Sequence, residues 1–158
     1  MTPHDHGPAM EICYLVRGQQ TYEVGGRFYT LKGGDVFVTF PGEVHSTGGL
    51  PEEKGTLYWL ILPVDSPQSP SLLGLAPAES AALRRALREL PRRLFAGRGN
   101  LAAQLNTAAE LCMQPDFPLK SIAVGHCLLG FLLAVIESAR PGTGRALPRS
   151  RETASRRS

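Results

Sequence analysis

Cysteine is scarce in this chain: three residues, Cys13, Cys112 and Cys127, among 158. The odd count and the lack of any C-x-x-C pair argue against a disulfide framework and point to a reducing, cytoplasmic setting. The opening segment MTPHDHGPAM has neither the basic start nor the apolar run of a signal peptide. Long hydrophobic runs are also lacking. The one candidate, Ser121 to Ile136, contains His126 and two glycines, and it falls short of the roughly 20 residues a bilayer span needs. It reads as a buried or interface helix, and no membrane partner is expected. No internal repeat is present, which removes the solenoid classes.

The formal net charge of +3 is uneven. From Arg140 onward there are six Arg against one Glu, a local charge of +5, so the rest carries 3 − 5 = −2. The body is slightly acidic and the tail basic, and the tail sequence PGTGRALPRSRETASRRS has no periodicity and almost no apolar content. Disorder is expected there.

Residues 10–62 carry strand signals. EICYLV, QTYEV, RFYTL, DVFVTF and TLYWLIL are rich in β-branched and aromatic residues, and Arg17-Gly18, Gly25-Gly26 and Gly33-Gly34 separate the first four. Gly25-Gly26 suits a two-residue hairpin, because both central positions of a type I′ turn require positive φ. Short strands at such spacing predict a sandwich or barrel. The proline-containing stretch PVDSPQSPS then breaks the pattern. Three helices are predicted after it: Pro77 to about Leu90, Leu101 to Met113, and one from near Pro118 to the stop at Pro141-Gly142. The division is a barrel over 1–64, a linker over 65–76, a helical region over 77–139 and a basic tail over 140–158.

Within this frame His4 and His6, two apart, face one side of an extended segment. Glu11 opens the first strand, and His45 follows Pro41-Gly42. Three imidazoles and a carboxylate suit Zn, Mn, Fe, Ni or Cu, and the mixture of nitrogen and oxygen donors does not choose among them. The same four residues also suit a pocket that hydrogen-bonds an organic ligand without metal.

The spacing resembles the cupin superfamily. His4-Asp5-His6, four residues, Glu11, six residues and Gly18 look like its first motif; Gly34, Pro41-Gly42 and His45 look like its second, with one extra residue between Gly34 and Pro41. The resemblance implies a mixed β+α chain with a double-stranded β-helix barrel around a site formed by His4, His6, Glu11 and His45. It also implies barrel strands before His4, so the barrel is expected to be truncated at its N-terminal side or the start to be late.

The stretch from Glu11 to Gly49 is similar, more narrowly, to the effector-binding domain of AraC-type transcription regulators. The matching residues include Tyr14-Leu15, Gly18, Tyr22, Val24, Tyr29, Leu31, Gly34-Asp35 and Pro41-Gly42-Glu43. That resemblance covers about residues 4–139. It implies a small-molecule effector, a sugar or other metabolite, inside the barrel, and a homodimer formed through antiparallel helices. The family's DNA-reading half is absent from this chain, so DNA would be reached only through a domain it lacks, and the tail arginines read as a solvated linker.

Among the remaining candidates, Cys13 shares the parity of Glu11 and so faces the pocket. Tyr58 and Trp59 face opposite ways on the last strand, leaving one to stack on a ligand; Tyr58 is taken with Cys13 as ligand-binding. Leu129, Leu132, Leu133 and Ile136, at i, i+3, i+4 and i+7, are the dimer-interface candidates. Arg84, Arg85, Arg88, Arg92 and Arg93 are expected on a solvated face. The leading expectation is a sensing and dimerising domain; the alternative is a small metal-dependent enzyme of dioxygenase or isomerase type. No catalytic residue is assigned.

Overall fold

A computed structural model of the chain describes residues 2–51, 54–66 and 71–141. The basic tail from 142 on, for which disorder was expected, lies outside the described residues. The elements are β1 (Met10–Arg17), β2 (Gln19–Val24), β3 (Arg27–Lys32), β4 (Asp35–Thr39), β5 (His45–Ser46), β6 (Thr56–Leu62), α1 (Pro77–Arg88), β7 (Leu94–Ala96), α2 (Leu101–Met113) and α3 (Lys120–Ala139).

Two antiparallel sheets face each other, one in the order β6-β1-β4-β7 and one in the order β3-β2-β5. The β2–β3 hairpin closes between Val24 and Arg27. Gly25 and Gly26 adopt φ of 57° and 77° as the two-residue turn demands. Pro41-Gly42 makes the other informative turn. Gly42 has φ 72° and the Glu43 amide donates to the Phe40 carbonyl at 3.1 Å, the arrangement of a type II turn with proline at its second position and glycine at its third. This turn aims the chain into β5 and so sets His45.

Strand β1, central in the first sheet, is buried on both faces, which is why it reads MEICYLVR rather than alternating apolar with polar. Met10, Ile12, Val36, Val38 and Leu62 pack with Leu83, Leu87, Phe131, Leu132 and Val135 of the helices. The opposite face gives Cys13, Leu15 and Phe37 to a second core with Tyr22, Val24 and Leu31. Each such side chain, once buried, contributes about 1.5–3 kcal/mol.

The helical region departs from expectation by adding a strand. β7, only three residues long, pairs with β4 through Asp35↔Ala96, Val36↔Phe95 and Phe37↔Leu94. The barrel and helices therefore share one sheet. The arginine face is also not simply solvated. Arg84 is buried and donates to the Pro63 carbonyl at 2.6 Å, and Arg88 pairs with Asp65 at 2.6 Å. Both tie α1 to the chain leaving β6.

Of the interface candidates, Leu132 is fully buried in the core between helices and barrel, so it points into its own subunit. Leu129 and Ile136 are partly buried and Leu133 is exposed. By length and mean hydropathy (1.9) α3 could cross a bilayer; here Phe131, Leu132, Val135 and Ala139 dock its C-terminal half onto the core.

Candidate functional site

Three elements bring the four predicted donors together. His4 sits on the N-terminal segment, which pairs with β5: the His4 amide donates to the His45 carbonyl at 3.1 Å and the His45 amide returns the bond at 2.9 Å. His6 lies two residues on, and the next link of this segment is the Gly42 amide donating to the Gly7 carbonyl at 2.8 Å. Glu11 enters from β1 and His45 from β5, and both are buried. One donor atom from each of the four lies within 4.8 Å of all the others.

The hydrogen bonds around the imidazoles fix their tautomers. His45 Nδ1 lies 3.2 Å from the Glu43 carbonyl and His4 Nδ1 lies 2.9 Å from the Thr2 carbonyl. A carbonyl only accepts, so both Nδ1 atoms carry a proton, and in the neutral ring the lone pair is left on Nε2. A metal-ligating histidine needs that tautomer, its other nitrogen held by an outer acceptor. His45 Nε2 is also the buried side-chain polar atom that has no hydrogen-bond partner among the described residues. Its nearest charged neighbour is Glu11 Oε2, at 3.7 Å. Glu11 Oε2 meets His6 Nε2 at 2.7 Å, so a proton sits where an ion could replace it.

Behind Glu11, the Cys13 thiol donates to Glu11 Oε1 at 3.0 Å. Burial, then the Glu11 charge and this bond, push the Cys13 thiol well above its ordinary pKa, so it stays protonated and a donor. Cys13 thus faces the interior as its parity predicts, but it lies under the carboxylate and does not line the cavity.

A cavity of about 310 Å³ opens over the cluster, lined by His4, His6, Glu11, Gln20, Tyr22 and Thr47, with Leu57, Trp59 and Ile61 of β6. Tyr58 is not among its walls, which corrects the expectation. Tyr58 is opposite Tyr14, on the helix-facing side, and its hydroxyl donates to Asn106 Oδ1 at 2.7 Å. Trp59 is opposite Cys13 and takes the pocket side.

A further contact was not foreseen. Arg93, just before β7, makes two 2.6 Å hydrogen bonds to the Glu43 carboxylate and one of 2.9 Å to the Val38 carbonyl. Its guanidinium also lies over the rings of Tyr29 and Phe40. Desolvation alone would raise the Glu43 pKa, but the Arg93 and Phe40 hydrogen bonds and the Arg93 charge outweigh it and hold the carboxyl below its ordinary value. Glu43 in turn supplies the carbonyl that orients His45. These partners are 50 residues apart, and no local pattern announces them.

Two facing sheets of cupin-like form, a buried polar cluster between them and helices behind define a small-molecule-binding β-barrel domain. The model of one such family, the AraC-like ligand binding domain, matches residues 1–113, and the chain belongs to that family. No curated protein matches the chain significantly.

Proposed function

We propose that the protein is the sensing part of a regulator, cytoplasmic and dimeric, and that it recognises its effector at a divalent metal held by His4, His6, Glu11 and His45. The observation that carries the metal is the buried, unpartnered Nε2 of His45 in its metal-binding tautomer. An orphaned buried acceptor costs about 1–3 kcal/mol, and an ion would remove that cost. The spacing fits with a small adjustment. Two nitrogen donors opposite each other on a six-coordinate ion, with bonds of about 2.1 Å, lie about 4.2 Å apart, so a pair spread over 4.8 Å needs to draw in by about half an ångström. When bound, the metal supplies Lewis acidity and open coordination positions.

The residues of the chain divide the work. His45 and His4 present lone pairs, Glu11 supplies charge, Cys13 holds its second oxygen, and Glu43 fixes the His45 ring. Arg93 joins Glu43 to the strand that leads into α2, so effector occupancy would shift the balance between arrangements of barrel and helices. The dimer is supported by the outer face of α3. Ile122, His126, Leu129, Leu133 and Ile136 recur at i, i+4, i+7, i+11 and i+14, the spacing of a coiled-coil seam. Ile122 is 68% exposed and Leu133 55% exposed. DNA contact would be the task of a separate reader domain.

The complete donor set also favours a second reading, a metal-dependent enzyme of dioxygenase or isomerase type. Elemental analysis of the purified chain tests the shared premise: about one metal per chain, lost in His45→Ala, supports the site, and no metal under any loading condition removes both metal readings.

A further inference from the structure

The walls of the 310 Å³ cavity restrict what could occupy it. Among the described residues no Lys or Arg lines it, so an anionic ligand finds no side-chain countercharge from them there. Its neutral polar lining is Gln20, Tyr22 and Thr47. The Gln20 amide group donates to the Thr21 carbonyl at 3.2 Å, and the Tyr22 ring is stacked on Phe37 with its hydroxyl 3.5 Å from the Cys13 thiol. A polyhydroxylated ligand needs a directed partner for each hydroxyl it buries, and this lining supplies few. The opposite wall is an apolar strip of Leu57, Trp59 and Ile61, all on the interior face of β6 by their pairing with Leu15, Cys13 and Glu11. Yet Trp59 is 63% exposed and Ile61 49% exposed. An indole on the inner face of a barrel, beside the polar cluster and uncovered, is a platform for a flat ring.

We infer that the pocket takes a small aryl ligand with two adjacent oxygen donors, the catechol class, its oxygens directed to the His4–His6–Glu11–His45 end and its ring on Trp59. The inference rests on the metal reading above, since four protein donors on a six-coordinate ion leave two positions for such a pair. The volume lies at the small end of ligand pockets, about 300–1,000 Å³, in keeping with one ring and a short substituent.

Trp59 is the single tryptophan of the chain, so its fluorescence reports on this wall alone. The full chain, loaded with redox-inert Zn²⁺ and desalted, is titrated with 4-nitrocatechol, with 4-nitrophenol and with glucose. Trp59 quenching and the nitrocatechol absorbance shift are read in parallel. The expected result is saturable quenching by nitrocatechol, at least tenfold tighter than by nitrophenol, with no response to glucose and reversal by chelator. Trp59→Leu should retain Zn²⁺ and weaken nitrocatechol, followed by absorbance, roughly five- to tenfold.

Equal binding without Zn²⁺, equal affinity for nitrophenol, tighter binding of glucose, or an unchanged affinity in Trp59→Leu would each overturn the inference. If Zn²⁺ binds one per chain through His45 but nitrocatechol does not bind, the aryl assignment fails and the metal site stands. If Zn²⁺ does not bind at all, both fail.

Discussion

The helix-facing and pocket-facing sides of the β6-β1-β4-β7 sheet are built from alternate residues of the same strands, yet they end in opposite states. On the helix side Met10, Ile12, Val36 and Val38 are completely covered and pack in an apolar core with the helices. On the pocket side Glu11 and Cys13 form a buried polar pair, and Trp59 and Ile61 stay open at the edge strand. Period-two alternation lets one strand serve both ends, because a residue on one face does not touch its neighbours on the other. The helix face provides packing energy. The pocket face gives some up: it buries a carboxylate, opposite an imidazole nitrogen of β5 that has no partner among the described residues. Sites that violate local packing rules are where function is expected.

The largest effect should come from the sealed face. Phe131 is fully buried and meets Tyr14 edge-on at 6.4 Å between ring centroids. Phe131→Ala should cost about 3–5 kcal/mol in denaturant unfolding. An equal loss from a pocket-facing substitution would break the division of labour.

Arg93 tests the seam between the faces. Removing it strands Glu43 and the Val38 carbonyl, and Arg93→Ala should cost about 2 kcal/mol at neutral pH. Glu43 has a depressed pKa in the folded protein, so its contribution is complete above the ordinary carboxylate range and is lost as pH falls through the folded value. The gap between wild type and Arg93→Ala should therefore narrow in acid. A gap that widens there would show that the ion pair is not the source of the stability.

Pocket-face substitutions should act on ligation more than on folding. Glu11→Gln keeps the shape and removes a buried charge, so stability should change by less than about 1 kcal/mol. Metal affinity should fall tenfold or more, equivalent to about 1.4 kcal/mol, as competition with a chromophoric chelator would reveal. Unchanged affinity would remove Glu11 from the donor set.

These predictions also show what could be read before folding. The β-rich half was legible because Gly25-Gly26 marks a turn that needs positive φ, and the strands around it are short and rich in β-branched and aromatic residues. The donors were legible because His4, His6, Glu11 and His45 carry a recognisable spacing, and the structure places them within reach of one another. Strand register was not legible. Tyr58 and Trp59 differ only in parity, and the pairing Cys13↔Trp59 decides which one enters the pocket. The three residues of β7 are too short for any pattern, and Arg93 finds Glu43 only after the sheets have closed. Leu132, taken from the sequence for an interface, packs in the chain's own core, since a 3.6-residue period defines an apolar stripe and not what covers it.

The smallest effect on the fold should come from Leu133, and it separates two kinds of exposed apolar surface. Trp59 is exposed beside the polar cluster, at the mouth of the cavity; Leu133 is exposed on α3, in line with Ile122 and Leu129, and outside that cavity. Along the groove beside this stripe, of about 1070 Å³, Phe117 and Ile122 are also uncovered. Leu133→Asp removes no intramolecular core contact of consequence, so unfolding of the subunit should shift by no more than about 0.5 kcal/mol. In a seam between copies, the same substitution places carboxylates in an apolar interface, where each unpaired charge carries a heavy desolvation cost. Sedimentation at matched concentration should then show a dimer for wild type and a monomer for the variant, with Zn²⁺ stoichiometry intact in both. A variant that still dimerises would move the interface off this face of α3, and one that loses metal as well would mean that the pocket and the helix surface are not the independent regions their geometry describes.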